Sequence, residues 1–325
     1  MTVRTVDAER LLPWPTTVRE RVLAKARRRP PASVVERLNR EILAAVAEFR
    51  PHLTYFVQGR YVNAETAHVA RQHGEVVLYC NDDMYNPANR TYTAAELITT
   101  VDCVTTTKSF NVDEFARAGA RRVVYLPNAY DPKIHFPAKL AAGERGVFAG
   151  DIAFIGTFRA ARADYLGRVA EAIGEAVLNV WGGGWHKMSR PSYWPRRRAW
   201  ARLRRRIRGH ELWGEDMGKA LQANKIALGL LSHANRDRHT SRSFEIPACG
   251  GFMLAERTAE HQHFFAEDRE AVYFDTFDEM MDKIRYYLRD DAARTRIAAA
   301  GHRRCLESGY RYVDRARELL RRLRA

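Results

Sequence analysis

The stretch Ser241–Leu254 carries side chains that could bind a phosphorylated ligand. Thr240 and Ser241 are typical of the residue that caps the start of a helix. A helix N-terminus presents unpaired N–H groups and a partial positive charge, which suits a diphosphate. Arg242 would add a charge-assisted bidentate contact, and Glu245 has two acceptor oxygens for a ribose diol. An ordinary helix with an exposed ion pair explains this spacing equally well.

Two glycine-rich turns follow predicted strands and could bring the backbone close to a ligand. Gly156 ends one strand, and Arg159 or Arg162 just beyond it could contact a phosphate. Trp181 ends another strand before three consecutive glycines, and its ring could stack on a nucleobase. Plain turns between strand and helix, with Trp181 in the core, explain the same residues.

Paired acids end a strand in the first half of the chain. Asp82 and Asp83 follow the apolar run Val76–Cys80. Either carboxylate could act as a general base on a hydroxyl if its surroundings raise its pKa. Capping of a turn by aspartate is the alternative explanation.

Histidines and cysteines indicate neither a metal site nor disulfides. His135, His233 and His239 are further candidates for a base, although a structural role explains each of them as well. The histidines show no HxxxH or HExxH spacing, so no metal site is expected. The four cysteines lie far apart without a CxxC pair, which favours a reducing cytoplasm.

Length and hydropathy favour a globular protein of two domains. The chain has 325 residues, of which 46% are hydrophobic, enough for two cores. No apolar run approaches the roughly 20 residues that span a bilayer, and the N-terminus lacks the apolar region of a signal peptide.

Short β-branched runs alternate with amphipathic helical stretches along the chain. This alternation predicts βαβ units and parallel sheets. The pattern loosens between residues 131 and 150, so the sequence predicts two doubly wound α/β domains that face a cleft. Ligands of such sheets bind at the carboxyl ends of the strands. Val3–Val6 resembles a second strand, so we expect the first domain to lack its first βα unit.

The run Arg242–Leu254 resembles the donor-binding segment of the CgeB-like glycosyltransferases, a spore-maturation type within the wider GT-B group. Further residues that look like that family's C-terminal domain are Tyr273, Asp278, Glu279, Ile284, Tyr287, Leu288, Arg296, Ile297, Ala298 and Gly301. Residues similar to its N-terminal domain are Asp82, Asp83, Tyr125, Leu126, Pro127, Asp131, Pro132 and His135. The resemblance covers about residues 50–312 and implies a GT-B fold of two Rossmann-like domains.

The resemblance implies an enzyme that moves a sugar, of hexose type, from a nucleotide-diphosphate sugar to an unknown acceptor. A glycan, a lipid-linked glycan or a protein are the acceptors considered, and neither a metal nor a cofactor is expected. In related enzymes the glutamate at the position of Glu245 holds the nucleotide ribose. Many retaining members have a second acid, a glutamate, where this chain has Asp237.

The resemblance also implies a division of the chain and a set of site residues. We expect an acceptor-side domain over residues 1–140, a donor domain over residues 150–310, and a helix over residues 311–325 that crosses back to the first domain. The candidate donor-binding residues are Gly156, Thr157, Arg159, Gly182, Gly183, Ser241, Arg242, Glu245, Gly250 and Gly251. The candidate catalytic residues are Asp82, Asp83 and Asp237.

Much of the net charge of +15 comes from one segment. Nine arginines and no acid lie between Arg190 and Arg208. Trp194–Arg208 has apolar residues at roughly helical spacing, which predicts a basic amphipathic helix. It could pack one apolar stripe on the domain, bind an acidic acceptor or nucleic acid, or rest on an anionic membrane surface. The last interpretation places a cytoplasmic protein at the inner face of the membrane.

Two other classes of function compete with the enzyme. A catalytically silent GT-B-like protein of surface or assembly type would fit the missing βα unit and the aspartate at position 237. A basic nucleic-acid-binding protein would fit the charge. The sequence contains no stacking motif or recognition module, so nucleic acid is not the expected partner.

Overall fold

The computed structural model describes residues 2–11, 32–86, 89 and 94–324. The chain forms two compact units, Met1–Pro127 with Ala234–Arg236, and Asn128–His233 with Asp237–Arg324. Each unit contains one parallel sheet together with helices, so the predicted α/β class with two Rossmann-like units is confirmed.

The first unit has a four-stranded parallel sheet. Its strands are β1 (Leu53–Val57), β2 (Glu75–Cys80), β3 (Cys103–Thr106) and β4 (Val123–Tyr125), and they lie in the order β1-β2-β3-β4. Its helices are Ala8–Leu11, Ala32–Phe49, Ala64–Arg71, Ala94–Thr100 and Asn111–Arg117. All four residues of β3 are buried, as expected for an inner strand that helices cover on both faces.

The second unit has a five-stranded parallel sheet. Its strands are β5 (Gly150–Ile155), β6 (Leu178–Trp181), β7 (Asn224–Gly229), β8 (Met253–Glu256) and β9 (Val272–Phe274), and they lie in the order β6-β5-β7-β8-β9. Its helices are Arg145–Phe148, Ala160–Ala172, Ala201–Arg204, Glu215–Gln222, Arg242–Ala248, Ala259–Phe264, Phe277–Arg289, Asp291–Glu307 and Tyr312–Arg324. Short 3₁₀ turns are Ala142–Glu144, Trp185–Ser189 and Pro191–Arg196, and a further one is His233–Asn235.

The winding of the second sheet changes direction at β5. The chain passes from β5 to β6 on one side, and β7 then pairs with β5 on the other side. Ile152 and Phe154 face one buried cluster, and Ala153 and Ile155 face the other, so β5 is covered on both faces. Open α/β sheets bind ligands at such a switch point, outside the carboxyl ends of the strands. The carboxyl ends of β5 and β7 are therefore the place to look for a site.

The boundary between the two units lies before residues 131–150, the region where the sequence pattern loosens. The second unit begins at Asn128 because Tyr130 is fixed there. Its N–H donates to the carbonyl of Tyr310, and the N–H of Tyr312 donates to the Tyr130 carbonyl. Tyr312–Arg324 also groups with the second unit, and its crossing to the first domain stays a prediction.

At two places the sequence pattern and the structure differ: one predicted strand is absent and one helix was missed. Val3–Val6 is not a strand: these residues have no regular structure, and Val3 is 69% exposed. Val6 alone packs partly against the core of the first unit, and one such contact does not suffice to place a strand in a sheet. The sequence pattern also missed helix Ala259–Phe264, which begins where the Thr258 hydroxyl accepts the N–H of His261.

The predicted basic helix Trp194–Arg208 is broken into shorter pieces. The 3₁₀ turn Pro191–Arg196 is followed by the four-residue helix Ala201–Arg204. Residues 197–200 between them form turns, which bring Trp200 and Leu203 into the core. Within the described ranges, no helix is both long and apolar enough to span a bilayer.

We expect Gly182→Ala to destabilise the second unit by at least about 2 kcal/mol. Gly182 has φ of 134°, and an added Cβ would overlap the carbonyl oxygen of Gly156. Chemical denaturation at neutral pH measures the change. Gly146→Ala is the matched control, since it lies in a helix and its Cβ meets nothing within 4 Å. Equal stability of the two variants would contradict the tight approach of these turns.

Candidate functional site

The carboxylate of Glu245 lies buried in helix Arg242–Ala248, with only 6% of the residue exposed. Arg242, one turn earlier, forms an ion pair with it. His135 Nε2 lies 3.4 Å from the other carboxylate oxygen. The N–H of Asp131 donates to His135 Nδ1 at 3.1 Å, so in the neutral ring Nε2 carries the proton and points it toward Glu245. Burial lowers the pKa of His135 more than Glu245 raises it, which favours that neutral ring.

Arg242 joins this helix to the switch point of the sheet. Its Nε donates to the carbonyl of Ile155, the last residue of β5, at 3.0 Å. The guanidinium therefore contacts both the end of β5 and the buried carboxylate. The helix starts with its first turn directed to the carboxyl end of the central strand.

Ser241 does not cap this helix as the sequence predicted. Its backbone is already helical, with φ of −58° and ψ of −34°, and its side chain makes no capping bond. A capping residue needs a non-helical conformation. Instead, the N–H of Thr240 donates to the hydroxyl of Ser243 at 3.0 Å. At the other end, Gly250 has φ of 72°, which confirms that the glycine pair Gly250-Gly251 allows the tight turn.

Hydrogen bonds connect the turns after β5 and β6. The N–H of Gly156 donates to the carbonyl of Trp181, and the indole N–H of Trp185 donates to the carbonyl of Gly156, both at 2.9 Å. Side chains at Gly182 or Gly183 would overlap Gly156 and Glu211, respectively. Trp181 is fully buried, so it belongs to the core and is not available to stack on a nucleobase. Packing of the two turns explains the glycine at 182, whereas the neighbour of Gly183 is the movable end of the exposed Glu211 side chain.

Arg162 bridges the turns after β5 and β7. Its guanidinium donates to the carbonyls of Thr157 at 3.2 Å and Leu230 at 3.3 Å. Burial is the main cause that lowers the pKa of Arg162, and the neighbouring charges of Arg159 and Arg242 lower it further. Three arginines therefore concentrate positive charge at the ends of these strands. An anion bound there would offset their mutual repulsion.

Asp237 is the acid that faces this positive charge. Its negative charge raises the pKa of Arg162, against the effect of burial. The carboxylate also accepts the N–H of Ser232 at 3.2 Å, in the loop after β7. Asp237, Arg159, Arg162, Arg242 and Glu245 thus belong to one region of the second unit. The sequence predicted four of these as site residues and named Arg162 as a possible phosphate ligand.

The sequence did not indicate His261, a buried histidine that hydrogen-bonds to Ser243 on the helix of Glu245. His261 is 1% exposed, and its Nδ1 lies 2.7 Å from the carbonyl of Glu256. Because a carbonyl only accepts, Nδ1 carries the proton, and Nε2 accepts the hydroxyl hydrogen of Ser243 at 2.7 Å. Burial lowers the pKa of His261 to about 4. The sequence pattern did not reveal helix Ala259–Phe264, so it gave no indication that His261 would be buried.

The two other histidines considered as bases have structural surroundings. His239 is 1% exposed, its Nε2 accepts the N–H of Asn128 at 3.0 Å, and its Nδ1 contacts the Glu260 carboxylate. Both ring nitrogens are therefore engaged inside the unit. His233 is largely exposed, and its Nε2 lies 2.9 Å from Glu256.

In the first unit, Asp83 is held by Arg236. The guanidinium donates to both carboxylate oxygens, at 2.7 Å and 2.9 Å, and the N–H of Tyr85 donates to one of them at 3.0 Å. Burial raises the pKa of Asp83, but the hydrogen bonds from Arg236 and Tyr85 outweigh it and leave the pKa lowered. A carboxylate held in this way is a weak base, and the bond from Tyr85 is the turn capping considered as the alternative.

Asp82 is less tightly held than its neighbour. Gln58 donates to one carboxylate oxygen at 3.2 Å, and Asn235 donates to the other at 3.3 Å. These are neutral donors, and the residue is only partly buried. In the parts of the chain that the structure describes, no group of three or more His, Cys, Asp or Glu side chains could hold a metal ion.

We expect acid to destabilise the protein through His261. Between about pH 4 and about pH 6.5, the unfolded histidine, with a pKa of about 6.5, binds more protons than the folded one, with a pKa of about 4. The stabilisation is thus complete above about pH 6.5 and is lost as the pH falls toward about 4, by up to about 1.4 kcal/mol per pH unit. The free energy of unfolding, measured by chemical denaturation across this pH range, should depend less steeply on pH in His261→Gln than in the wild type. The exposed His263→Gln, on the same helix, should retain the wild-type slope, and an identical loss of slope would refute the assignment to His261.

Residues 162–321 match a family model described as glycosyl transferase-like. The matched segment contains Arg162, Asp237, Arg242, Glu245 and His261. No curated protein sequence matches the chain significantly.

Several solved structures share the fold of this chain. HepE of Anabaena, in complex with UDP and glucose, is 14% identical with a TM-score of 0.67, and the alignment covers 93% of this chain and 88% of HepE. Sucrose-phosphate synthase from Thermosynechococcus elongatus is 14% identical with a TM-score of 0.61, over 90% of this chain and 78% of that one. A glycosyltransferase from Rickettsia africae is 10% identical with a TM-score of 0.62, over 90% of this chain and 81% of that one. The chain thus has the GT-B fold of two Rossmann-like units, and its residues 162–321 are similar to the glycosyl transferase-like family.

Proposed function

We propose that the protein is a glycosyltransferase that moves a sugar, of hexose type, from a nucleoside-diphosphate sugar to an acceptor hydroxyl. The observation that carries the proposal is the buried carboxylate of Glu245, held by Arg242 and His135 at the switch point of the second sheet. The UDP-glucose in a structure of HepE, a protein of the same fold, supports a donor of this class. We also propose that the chain is of the CgeB-like type, which the run Arg242–Leu254 supports.

Glu245 would bind the ribose of the donor. A carboxylate has room for about four hydrogen bonds, and Arg242 and His135 use only part of that capacity. Two vicinal hydroxyls could donate to the two oxygens at once. Because the ion pair already fixes the carboxylate, little rotamer freedom remains to be lost when the ribose binds.

The arginine region would bind the diphosphate. Negative charge grows on the departing nucleoside diphosphate as its bond to the sugar breaks. Arg159 and Arg162 lie beside the turn of Gly156 and Thr157, where a phosphate can approach the backbone closely. Fixed positive charge at that position stabilises the transition state more than the ground state.

We propose that Asp82 or Asp237 is the base that accepts the proton of the acceptor hydroxyl. Asp83 is disfavoured, because Arg236 binds both of its oxygens. Asp82 accepts hydrogen bonds from the neutral side chains of Gln58 and Asn235, and Asp237 lies in the same unit as the arginine region. Asp82→Asn and Asp237→Asn, assayed for turnover and for donor binding separately, would distinguish a base from a residue that only positions Arg162.

We further propose that the reaction takes place without a metal or a cofactor in a cytoplasmic protein. The arginines would supply the positive charge that a divalent cation supplies in other transferases. The four cysteines are all free and buried, which supports a reducing compartment.

We expect Glu245→Gln to weaken the binding of the cognate nucleotide-sugar by about 10- to 100-fold, because charged hydrogen bonds contribute about 1.5–3 kcal/mol. The donor is first identified by thermal shift with UDP-, GDP-, dTDP- and CDP-sugars, each well above its expected Kd. Titration calorimetry then compares the wild type with the variant. Glu307→Gln, an exposed glutamate of the same unit, is the control and should bind like the wild type.

Unchanged affinity in Glu245→Gln would remove the ribose role. No thermal shift with any of the four donors would favour a catalytically silent GT-B-like protein. Binding without sugar transfer or donor hydrolysis would also favour it, and the ion pair of Asp83 with Arg236 gives that alternative some support.

We expect turnover to be the same in EDTA as in Mg²⁺ or Mn²⁺. Release of the nucleoside diphosphate, measured with each sugar donor, is the assay. Loss of activity in EDTA that returns on addition of a divalent cation would contradict the metal-independent mechanism.

A further inference from the structure

The basic segment, Arg190–Arg208, is fixed to the second unit by its apolar residues. Trp200 and Leu203 are completely buried in the core. The indole N–H of Trp200 donates to Asp164 at 2.9 Å, on the neighbouring helix Ala160–Ala172. The apolar stripe on which an amphipathic helix would insert into a membrane is thus already used inside the protein.

The 3₁₀ turn Pro191–Arg196 has one face toward the domain and one toward solvent. Residues three apart lie above one another in this geometry. Tyr193 packs 5.6 Å from the ring of Phe158, and Arg196 contacts Asp164 at 3.2 Å. Trp194 lies on another side of the turn and is 58% exposed. Arg197, three residues further on, is exposed as well.

Some arginines of the segment have partners in the protein. Arg196 and Arg202 form ion pairs with Asp164 and Glu171, at 3.2 Å and 3.0 Å. Arg208 donates to the side-chain oxygen of Asn179 at 2.8 Å. None of the following forms an ion pair with any residue of the described chain: Arg190, Arg197, Arg198, Arg205 and Arg206. Four of these five are exposed, and Arg206 is half-buried.

We propose that the basic segment binds the surface of an anionic lipid bilayer. Clustered arginines without acidic partners are attracted to the negative surface potential of such a membrane. Trp194, exposed next to them, has the amphipathic ring that favours the interface between lipid and water. Since Trp200 and Leu203 remain in the core, the contact is electrostatic and reversible rather than an inserted helix. This binding requires no donor and no turnover, so it is independent of the proposed reaction.

A bilayer fits these residues better than a site that reads a nucleic-acid sequence does. Arg and Lys read guanine, but reading of adenine and cytosine uses the side chains of Asn, Gln, Asp and Glu. Between residues 190 and 208 the chain has none of those four residue types. A membrane surface requires only positive charge and an interfacial aromatic ring, and both are present.

Vesicle co-sedimentation tests the proposal with the full chain at about 0.1 M salt. The vesicles are phosphatidylcholine alone, or phosphatidylcholine mixed with phosphatidylglycerol. The wild type should bind only the anionic vesicles and dissociate at about 1 M salt. The variant Arg190→Gln/Arg197→Gln/Arg198→Gln should lower the partition coefficient about a hundredfold, at about fivefold per arginine. Trp194→Ser should lower it by a smaller factor.

A matched variant separates a local surface from net charge. Arg289→Gln/Arg296→Gln/Arg303→Gln removes the same number of positive charges from exposed positions elsewhere in the second unit. It should bind anionic vesicles like the wild type, and thermal melts verify that both triple variants are folded. Equal loss in the two triple variants, equal binding of neutral vesicles, or tighter binding to a single-stranded RNA than to anionic vesicles would each overturn the proposal.

Discussion

A carboxylate buried at a sheet switch point is costly unless charged and hydrogen-bonded partners surround it. Glu245 meets this condition through Arg242, one turn earlier on the same helix, and through the neutral ring of His135. Arg242 also donates to the carbonyl of Ile155, so the ion pair fixes the helix against the end of β5. The electrostatic requirement of one buried acid therefore determines how the helix, the strand end and the segment around His135 are placed.

A second set of buried polar groups stabilises the same helix from its other side. Ser243 connects the loop at Thr240 to His261, and His261 connects onward to the carbonyl of Glu256 at the end of β8. Each of these groups has a defined donor and acceptor role, so their positions are mutually dependent. Rigidity of this kind is what a site needs if it is to hold a flexible ligand without reorganising.

The alternation of strands and helices was predictable from the sequence, because parallel sheets require apolar strands separated by amphipathic helices. Arg242 and Glu245 were predictable as neighbours, since residues three apart on a helix face the same side. The partners from distant parts of the chain were not. His135 lies 110 residues before Glu245, and no local pattern relates the two. The same holds for Arg236 and Asp83: the sequence shows the paired acids but not the guanidinium that neutralises one of them. The basic helix was mispredicted because Trp200 and Leu203 are buried from short turns, and their spacing alone does not distinguish these turns from one continuous helix.

The short excursion Ala234–Arg236 belongs to the first unit although the chain on both sides of it belongs to the second. The first unit is therefore not a continuous piece of sequence. A fragment that ends at Pro127 would lack Arg236 and would bury the carboxylate of Asp83, 2% exposed, without its counter-ion. Recombination between relatives at the obvious boundary would face the same problem, because an acid from one parent would need its arginine from the other. Because Asp83 and Arg236 lie in distant parts of the sequence, both parts would have to be inherited from the same parent, and the fold would be exchanged as a whole.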